Sequence, residues 1–304
     1  MVKYAAMDTG SRAKGIAAIT ASAFGFALMA AFVRLADDFG APISSFQKSF
    51  FRNIVALAIA LVVFVRARCA ARAREPAGGA AKRRLSSKAL MLLLLRSAVG
   101  TCGIFANFYA LGIVPIADGQ THNKTAPFFT VAFAWLFLGE KASLRQIGTL
   151  ALAFAGVVLV AKPGFAGAAA FPLAIGLLGG VCAGGAYACV RALRRHEVDS
   201  AFIVVFFSAF SCLATVPFMA VHFDPMTWRQ VTILLCAGAG AAIGQFGITA
   251  AYGYAAPRDI AVYDYSNIIF TAALGFMLFG QVPDVWSILG FVLIVAAAFR
   301  LHRG

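Results

Sequence analysis

The chain has 304 residues, of which 62% are hydrophobic and 12% are charged, and its formal net charge is +14 at pH 7. Average soluble domains are about 45–50% apolar and about 25% charged. The composition therefore excludes a soluble enzyme, a disordered tail and a disulfide-rich scaffold. It indicates a protein that crosses a membrane several times.

Apolar windows follow one another along almost the whole chain, and each is close to the roughly 20 residues that a helix needs to cross a bilayer. The windows are continuous rather than alternating, which predicts helices and disfavours a membrane β-barrel. The first window is too long for a signal peptide and predicts a retained helix. The ten predicted spans cover about 15–35, 45–65, 89–111, 116–138, 144–161, 172–191, 200–221, 230–252, 260–280 and 285–301.

The longest interruption between spans is the basic segment 66–88, which mixes Ala, Gly and Pro with Arg and Lys. Its composition predicts a flexible solvated linker, with a lipid-headgroup contact as the alternative. Cytoplasmic loops of membrane proteins are enriched in Lys and Arg. This rule predicts that both termini and the linker are cytoplasmic. The positive charge is then mainly an orientation signal, and we expect no nucleic-acid partner.

Sequence signals of catalysis are absent. No Walker, Rossmann, zincin or GxSxG motif occurs, and the six cysteines show no metal-ligand spacing. The glycines within 179–185 lie inside a predicted span, where small residues favour close helix packing. We therefore expect no enzymatic activity, no cofactor and no metal.

The two halves of the chain are similar to each other. When residue 103 is placed over residue 244, GIFANFYALG (103–112) aligns with GQFGITAAYG (244–253), and Gly139 aligns with Gly280. Each half has five predicted spans, an odd number, so the second half is expected to be inverted relative to the first. Inverted repeats are typical of secondary transporters.

The predicted architecture is therefore an all-α integral membrane protein of ten transmembrane helices in two inverted five-helix repeats. A cytoplasmic tail, 1–14, precedes the first repeat, 15–165, and the second repeat is 166–304. The turn that opens the last span of each half is basic in the first half (139–145) and acidic in the second (280–286). That reversal is what inversion across the membrane predicts.

This pattern resembles the EamA branch of the drug/metabolite transporter superfamily. The strings that carry the resemblance are SSFQKSFFRN (44–53) in the second span, NKTAPFF (123–129) in the fourth and VYDYSNIIF (262–270) in the ninth. The resemblance implies a central cavity lined by both halves and open alternately to each side of the membrane. It does not imply one substrate, because members move amino acids, nucleotide-like metabolites, cofactors and drugs.

A charged side chain at the bilayer centre costs about 2.5–3.5 kcal/mol or more, so such residues are functional candidates. Lys48 and Arg52 share one face of the second span by their spacing. We expect Lys48 to extend outward to the interface, and Arg52, where the resemblance places the family's arginine, to line or gate the cavity. Arg96 is expected to snorkel to the cytoplasmic interface or to have a structural role.

Lys124 lies deepest in the fourth span. Gln120, Asn123, Lys124 and Pro127 fall on one broad helix face. Pro127 removes a backbone hydrogen bond and is expected to kink the helix. A lysine at membrane depth beside a kink predicts a site for an anionic substrate group, with a structural pairing to a fixed carboxylate as the alternative.

Asp264 is placed opposite Asn123 by the repeat and shares a helix face with Asn267. One half thus presents a cation and the other an anion at similar depth. Three roles stay open for Asp264: a gating pair with Lys124, binding of the ammonium end of a zwitterion, or proton transfer. Further candidates are Asn107, Tyr187, Gln245 and Tyr263 for the cavity and His122 for a proton relay.

These features predict a secondary active transporter of the bacterial cytoplasmic membrane that works by alternating access. The predicted substrate is a small anionic or zwitterionic metabolite such as an amino acid, coupled to a proton or to an exchanged metabolite. A monomer and a homodimer in the lipid bilayer both fit the sequence. The alternative functions are a passive channel or facilitator, a lipid flippase, and a membrane-embedded enzyme.

Overall fold

The computed structural model describes residues 9–74, 85–111, 124–162, 170–221 and 223–302, and these residues form helices without strands. Nine of their helices are long and apolar enough to span a membrane, and α4 is shorter. The predicted all-helical, multi-pass fold is confirmed. The helices are α1 (Thr9–Ala36), α2 (Ser45–Arg74), α3 (Ser87–Leu111), α4 (Ala126–Leu138), α5 (Leu144–Ala161), α6 (Ala170–Arg195), α7 (Ser200–Val221), α8 (Trp228–Tyr254), α9 (Pro257–Phe279) and α10 (Val285–His302).

The second helix is longer than predicted. It continues past residue 65 to Arg74, so the first part of the expected linker is helical. Ala and Arg are among the best helix formers and support this extension. Within it, the Arg68 guanidinium lies 4.9 Å from the centre of the Phe64 ring, a cation–π contact that joins successive helical turns.

The ninth span is interrupted where a continuous helix was predicted. One α-helical turn, Pro257–Ile260, is followed by a 3-10 segment, Ala261–Tyr265, and then by the α-helix Ser266–Phe279. A 3-10 segment in the middle of a span often marks a functional position. Broken helices at membrane depth are typical of transporter substrate sites.

Pro127 lies in the first turn of α4. Proline is tolerated there because the first N–H groups of a helix have no intrahelical acceptor. The described helix begins one residue before this proline, and the expected kink of the longer span stays a prediction. The earlier part of the predicted fourth span, residues 116–123, lies outside the described residues.

Helix packing relates the two halves of the chain. The repeat makes α1 equivalent to α6, α2 to α7, and so on to α5 and α10. Under this equivalence the packed pair α1–α8 becomes the packed pair α6–α3, and the packed pair α4–α6 becomes the packed pair α9–α1. The packed pairs α2–α7 and α5–α10 each join two equivalent helices. This pattern supports the predicted repeat, whose exact boundaries stay a prediction.

Glycines that the repeat aligns occupy equivalent positions. Gly139 and Gly280 end α4 and α9 in the left-handed conformation, with φ of 68° and 64°, where the absence of a Cβ removes the steric penalty. Gly103 and Gly244 lie at the α3–α6 and α8–α1 crossings, where an added Cβ would come within 3.0 and 2.6 Å of the facing helix. The same sequence position therefore has the same backbone role in both halves.

The loops sort into two ends of the bundle. At the end that we call the basic end, Ser11 donates a hydrogen bond to the Tyr254 carbonyl and Arg145 donates to the Arg300 carbonyl. At the opposite end, Lys48 pairs with Asp37 at 2.7 Å, and Lys162 pairs with Asp284. The segregation matches the predicted grouping of loops, and assignment of the basic end to the cytoplasm stays a prediction. Cationic side chains of the basic end include Arg12, Lys141, Arg145, Arg191, Arg194, Arg195, Arg258 and Arg300.

The α5–α10 contact allows a test of the packing. A Cβ added at Gly156 would lie 2.6 Å from the Gly290 carbonyl oxygen, whereas a Cβ at Gly148 of the same helix meets nothing within 4 Å. Overpacking costs about 1–3 kcal/mol, whereas Ala at an unhindered helix position is about 1 kcal/mol better than Gly. We expect Gly156→Ala to lower the melting temperature in detergent and Gly148→Ala to leave it unchanged or raise it. Equal melting temperatures for the two variants would contradict the α5–α10 packing.

Candidate substrate site

Lys124 lies in the turn that precedes α4 and is half-buried. Its Nζ donates a hydrogen bond to Oδ1 of Asn267 at the start of the α-helical part of α9. Asn267 is buried, and its Nδ2 donates to the Ala23 carbonyl of α1 at 2.8 Å. The two predicted candidates Lys124 and Asn267 are thus brought together, and the amide is anchored to a third helix.

Asp264 lies three residues before Asn267, in the 3-10 segment of α9, and is half-buried. It interacts electrostatically with Lys124. Among the described contacts, however, Lys124 donates to the Asn267 amide, and the Asp264 carboxylate has no hydrogen-bond donor. A cation and a carboxylate therefore lie near each other without a direct ion pair, and both remain able to bind a ligand.

Tyr187 of α6 packs against α8, with its ring centre 5.9 Å from that of the buried Tyr252. The region around Lys124 is linked to α8 through α1, because the hydroxyl of Ser22, the residue before Ala23, donates to the Gly244 carbonyl at 2.7 Å. Helices from both halves therefore meet here, and a central substrate site stays a prediction.

Arg96 does not snorkel, and this part of the expectation was wrong. Its side chain is only 2% exposed, its Nη2 donates to Oε1 of Gln245 at 3.0 Å, and its Cζ lies 3.5 Å from the centre of the Phe207 ring. A Cβ at Gly100 would come within 3.0 Å of Arg96 Nη1, so this glycine leaves room for the inward side chain. A glycine one turn after an arginine inside a span is therefore the sequence signal for an arginine side chain that points into the bundle.

Arg52 is half-buried on α2, and its Nε is enclosed. Within the described part of the chain, its guanidinium has no hydrogen-bond acceptor. Arg52 and Arg96 lie near the same face of α7, because Asn53 donates to Ser211 at 3.0 Å and Arg96 stacks on Phe207, one turn away. Lys48, one turn nearer the helix end, pairs with Asp37, which agrees with its predicted outward direction.

Other predicted residues have different positions. The Tyr263 hydroxyl donates to the Ala298 carbonyl of α10 at 3.2 Å, so it is not joined to Lys124. Gln245 is bound to Arg96. The side chain of Asn107 lies outside the described residues, as do Gln120, His122 and Asn123 entirely.

A large cavity of about 700 Å³ lies elsewhere, between α3, α6 and α7. Its lining is almost entirely apolar and includes Phe105, Phe171 and Phe210. Phe171 is 65% exposed on the outside of the bundle. Because the intramembrane charges lie elsewhere, this groove suits lipid chains better than a polar substrate.

Comparison with known proteins identifies the family. Over 222 residues the chain is 33% identical to the pseudopaline exporter CntI of Pseudomonas aeruginosa strain UCBPP-PA14, an overlap of 72% of this chain and 77% of that protein. The model of the EamA-like transporter family matches residues 13–162. The chain belongs to the EamA-like transporter family.

Two further relatives are also named transporters, and one solved structure has the same fold. An uncharacterized transporter of Helicobacter pylori strain 26695 is 25% identical over 293 residues, which is 94% of each chain. A riboflavin transporter of Rhizobium johnstonii is 26% identical over 213 residues, 69% of each chain. A protein of known crystal structure has the same fold, with a TM-score of 0.74, 16% identity, and coverage of 92% of this chain and 96% of that chain.

Membership of the EamA-like family confirms the predicted family and identifies a membrane transport protein rather than an enzyme. Together with the apolar helices, it places the chain in the bacterial cytoplasmic membrane as a multi-pass protein.

The Arg96–Gln245 contact in this EamA-like protein allows a double-mutant test. Gln245→Leu leaves the buried guanidinium without its acceptor, which costs about 1–3 kcal/mol. Replacing both polar partners by apolar residues often destabilises a protein less than replacing one, because no buried polar group is left unpaired. We expect Gln245→Leu to lower the melting temperature in detergent and the double variant Arg96→Met, Gln245→Leu to recover part of the loss.

The control for this test is Gln245→Glu, which keeps an acceptor for Arg96 and is expected to retain wild-type stability. A double variant that is no more stable than Gln245→Leu alone would show that the two side chains are not coupled.

Proposed function

We propose that this EamA-like protein is a secondary active transporter that moves a small anionic or zwitterionic metabolite by alternating access. The observation that carries the proposal is the half-buried Lys124, held by Asn267 and near the Asp264 carboxylate, which accepts no hydrogen bond from the residues that the structure describes. Such charges inside a membrane protein mark substrate or ion pathways. Lys124 is suited to bind a carboxylate, and Asp264 is suited to bind an ammonium group or a proton.

The backbone at this site also supports the proposal. Lys124 lies at a helix start, and Asp264 lies in the 3-10 interruption of α9. In secondary transporters, discontinuous helices from two repeats form the substrate site near the membrane midplane. The helix pairs that the repeat relates, such as α1–α8 and α3–α6, run between the two halves. We propose that opening and closing of these related interfaces in turn exposes the site to each side.

The relatives' names supply the first compounds to test. One relative is named a pseudopaline exporter and another a riboflavin transporter. We propose a thermal-shift screen of purified protein with pseudopaline, riboflavin and the proteinogenic amino acids, because a ligand of the folded state raises the melting temperature. The compound with the largest shift then becomes the labelled probe for counterflow in proteoliposomes.

Replacement of Lys124 tests the site directly. Removing a charge-assisted contact worth about 1.5–3 kcal/mol is expected to weaken binding of the probe about 10- to 100-fold. Lys124→Ala should therefore remove most of the counterflow at probe concentrations near the wild-type Kd, while Lys124→Arg should retain part of it. Size-exclusion profiles and melting temperatures verify that both variants are folded.

Lys162→Ala is the matched control for this substitution, because Lys162 is exposed and pairs with Asp284 outside the membrane interior. It should leave counterflow unchanged. Normal counterflow by Lys124→Ala would refute the site. Probe flux without counterflow in the wild type would indicate a passive channel instead of a carrier.

Replacement of Asp264 tests proton coupling. If Asp264 carries the coupling proton, Asp264→Asn should abolish accumulation driven by a pH gradient and leave exchange of probe for probe intact. Asp38→Asn is the control, since Asp38 is exposed at the end of the bundle opposite the basic end. Unchanged gradient-driven accumulation by Asp264→Asn would exclude this role and leave ligand binding or gating for the carboxylate.

A further inference from the structure

Charge inside the membrane part of this protein is not balanced. Among the acidic residues that the structure describes, Asp264 is the one that lies well inside a span. Four described basic residues lie well inside the predicted spans, and one of them, Lys48, pairs with Asp37 at 2.7 Å. The described interior therefore contains three cations, Arg52, Arg96 and Lys124, and one carboxylate.

The interior charges form two groups. The lysine group consists of Lys124, Asp264 and Asn267, in which the cation has a carboxylate nearby. The arginine group consists of Arg52 and Arg96 with Gln245, and it contains no acidic residue. The two groups are joined through α1. Ala23 accepts from Asn267 of the lysine group, and the adjacent Ser22 donates to the backbone carbonyl that precedes Gln245 of the arginine group. One extended molecule could therefore contact both.

The arginine group has unused hydrogen-bond donors. In the described part of the chain, Arg96 has one hydrogen-bond acceptor, Gln245, and its Nε and Nη1 are buried without an acceptor. Arg52 Nε is likewise buried without an acceptor among the described residues. Buried guanidinium groups are normally paired with an anion, because desolvation of an unpaired charge is costly. Two neighbouring arginines with no acidic partner in the described ranges therefore form a site that an anionic group would stabilise.

We propose that the arginine group binds a second anionic group of the transported molecule, so that the substrate has at least two anionic groups and a net negative charge. This inference rests on the transport function proposed above. An amino acid with a second carboxylate or a phosphate has the matching chemistry. One anionic group binds at Lys124, the amine binds at Asp264, and the second anionic group binds at Arg52.

The two arginines have different roles in this arrangement. Arg52 is half-buried and is the contact residue. Arg96 is 2% exposed and stacked on Phe207, so it lies behind the contact surface. It acts as a positioning residue that adds positive potential, which is strong at low local dielectric.

The test compares acids with neutral analogues of nearly the same shape. The pairs are L-glutamate with L-glutamine, L-aspartate with L-asparagine, and O-phospho-L-serine with L-serine, all at constant ionic strength. Dissociation constants come from ligand-dependent melting temperatures of the purified full-length protein. In the wild type, the acid of at least one pair is expected to bind about 10- to 100-fold more tightly than its analogue. The pair with the largest ratio distinguishes a carboxylate from a phosphate.

Arg52→Gln is expected to reduce this acid-to-neutral ratio to below about 3-fold. Arg96→Gln should lower the ratio and Arg96→Lys should restore it, a rescue that a merely structural role would not produce. Lys48→Gln is the matched control, because it removes a cation from the same helix as Arg52 and should leave the ratio unchanged. If an arginine variant does not fold, the wild-type ratio still decides the proposal.

Three results would overturn the inference: a wild-type protein that binds each neutral analogue as tightly as its acid, one that binds none of the acids, or an Arg52→Gln variant that keeps the full ratio. Transport is tested separately by counterflow with whichever compound binds. Counterflow that depends on Lys124 but shows no preference for acids would refute this inference alone. Acid binding that depends on Arg52 without any counterflow would refute the proposed transport function instead.

Discussion

The cost of placing a charge in a membrane interior is the constraint on which the rest of the structure depends. A helix that faces lipid can be almost any apolar sequence, and most of this chain is of that kind. Lys124, Arg52, Arg96 and Asp264 are the exceptions, and each requires a partner, a cavity or a ligand. The bundle turns these side chains inward, and the contacts of Asn267 and Gln245 are the compensation that it provides. The unpaired donors of the arginines show where that compensation is incomplete.

Much of the fold could be predicted from sequence because hydrophobic windows have a minimum length in a bilayer. The predicted span 144–161 coincides with α5, and 200–221 coincides with α7. The predicted helix bounds were wrong where local residue preferences outweigh the mean hydropathy of the segment. Ala and Arg extend α2 beyond the apolar window to Arg74, and the change to a 3-10 segment in α9 has no hydropathy signal.

The candidate site was partly predictable for a similar reason. The rarity of charges in spans identified Lys124, Asp264 and Arg52, and the repeat placed Lys124 opposite α9. Side-chain direction was not predictable, because a helical position allows an arginine to point inward or to snorkel. The choice depends on partners from distant helices: Gln245 and Phe207 hold Arg96 inward. Tyr263 is the opposite case, since its hydroxyl is bound by α10.

The repeat is nearly symmetric in backbone but not in charge. After Gly139, the buried Glu140 of the basic end pairs with Arg191 at 2.9 Å, and Arg191 also donates to the Tyr252 carbonyl of α8. After Gly280, the aligned residue is the neutral Gln281. Its side-chain oxygen accepts from Arg34 in the orientation of the amide that places this oxygen, and not the nitrogen, next to the guanidinium.

Each end of the bundle therefore has a contact at the equivalent position, but it is an ion pair at the basic end and an amide–arginine hydrogen bond at the opposite end. Breaking a buried ion pair costs about 3–5 kcal/mol when one partner is left unpaired. Loss of a hydrogen bond between a neutral amide and an arginine costs about 1.5–3 kcal/mol. Two identical repeats that rock about a central site would give two end states of equal energy. The difference between Glu140 and Gln281 breaks the symmetry of the two ends. In the proposed alternating-access cycle, the Glu140–Arg191 pair would favour the state in which the basic end is closed, and differential binding of the substrate would have to offset it.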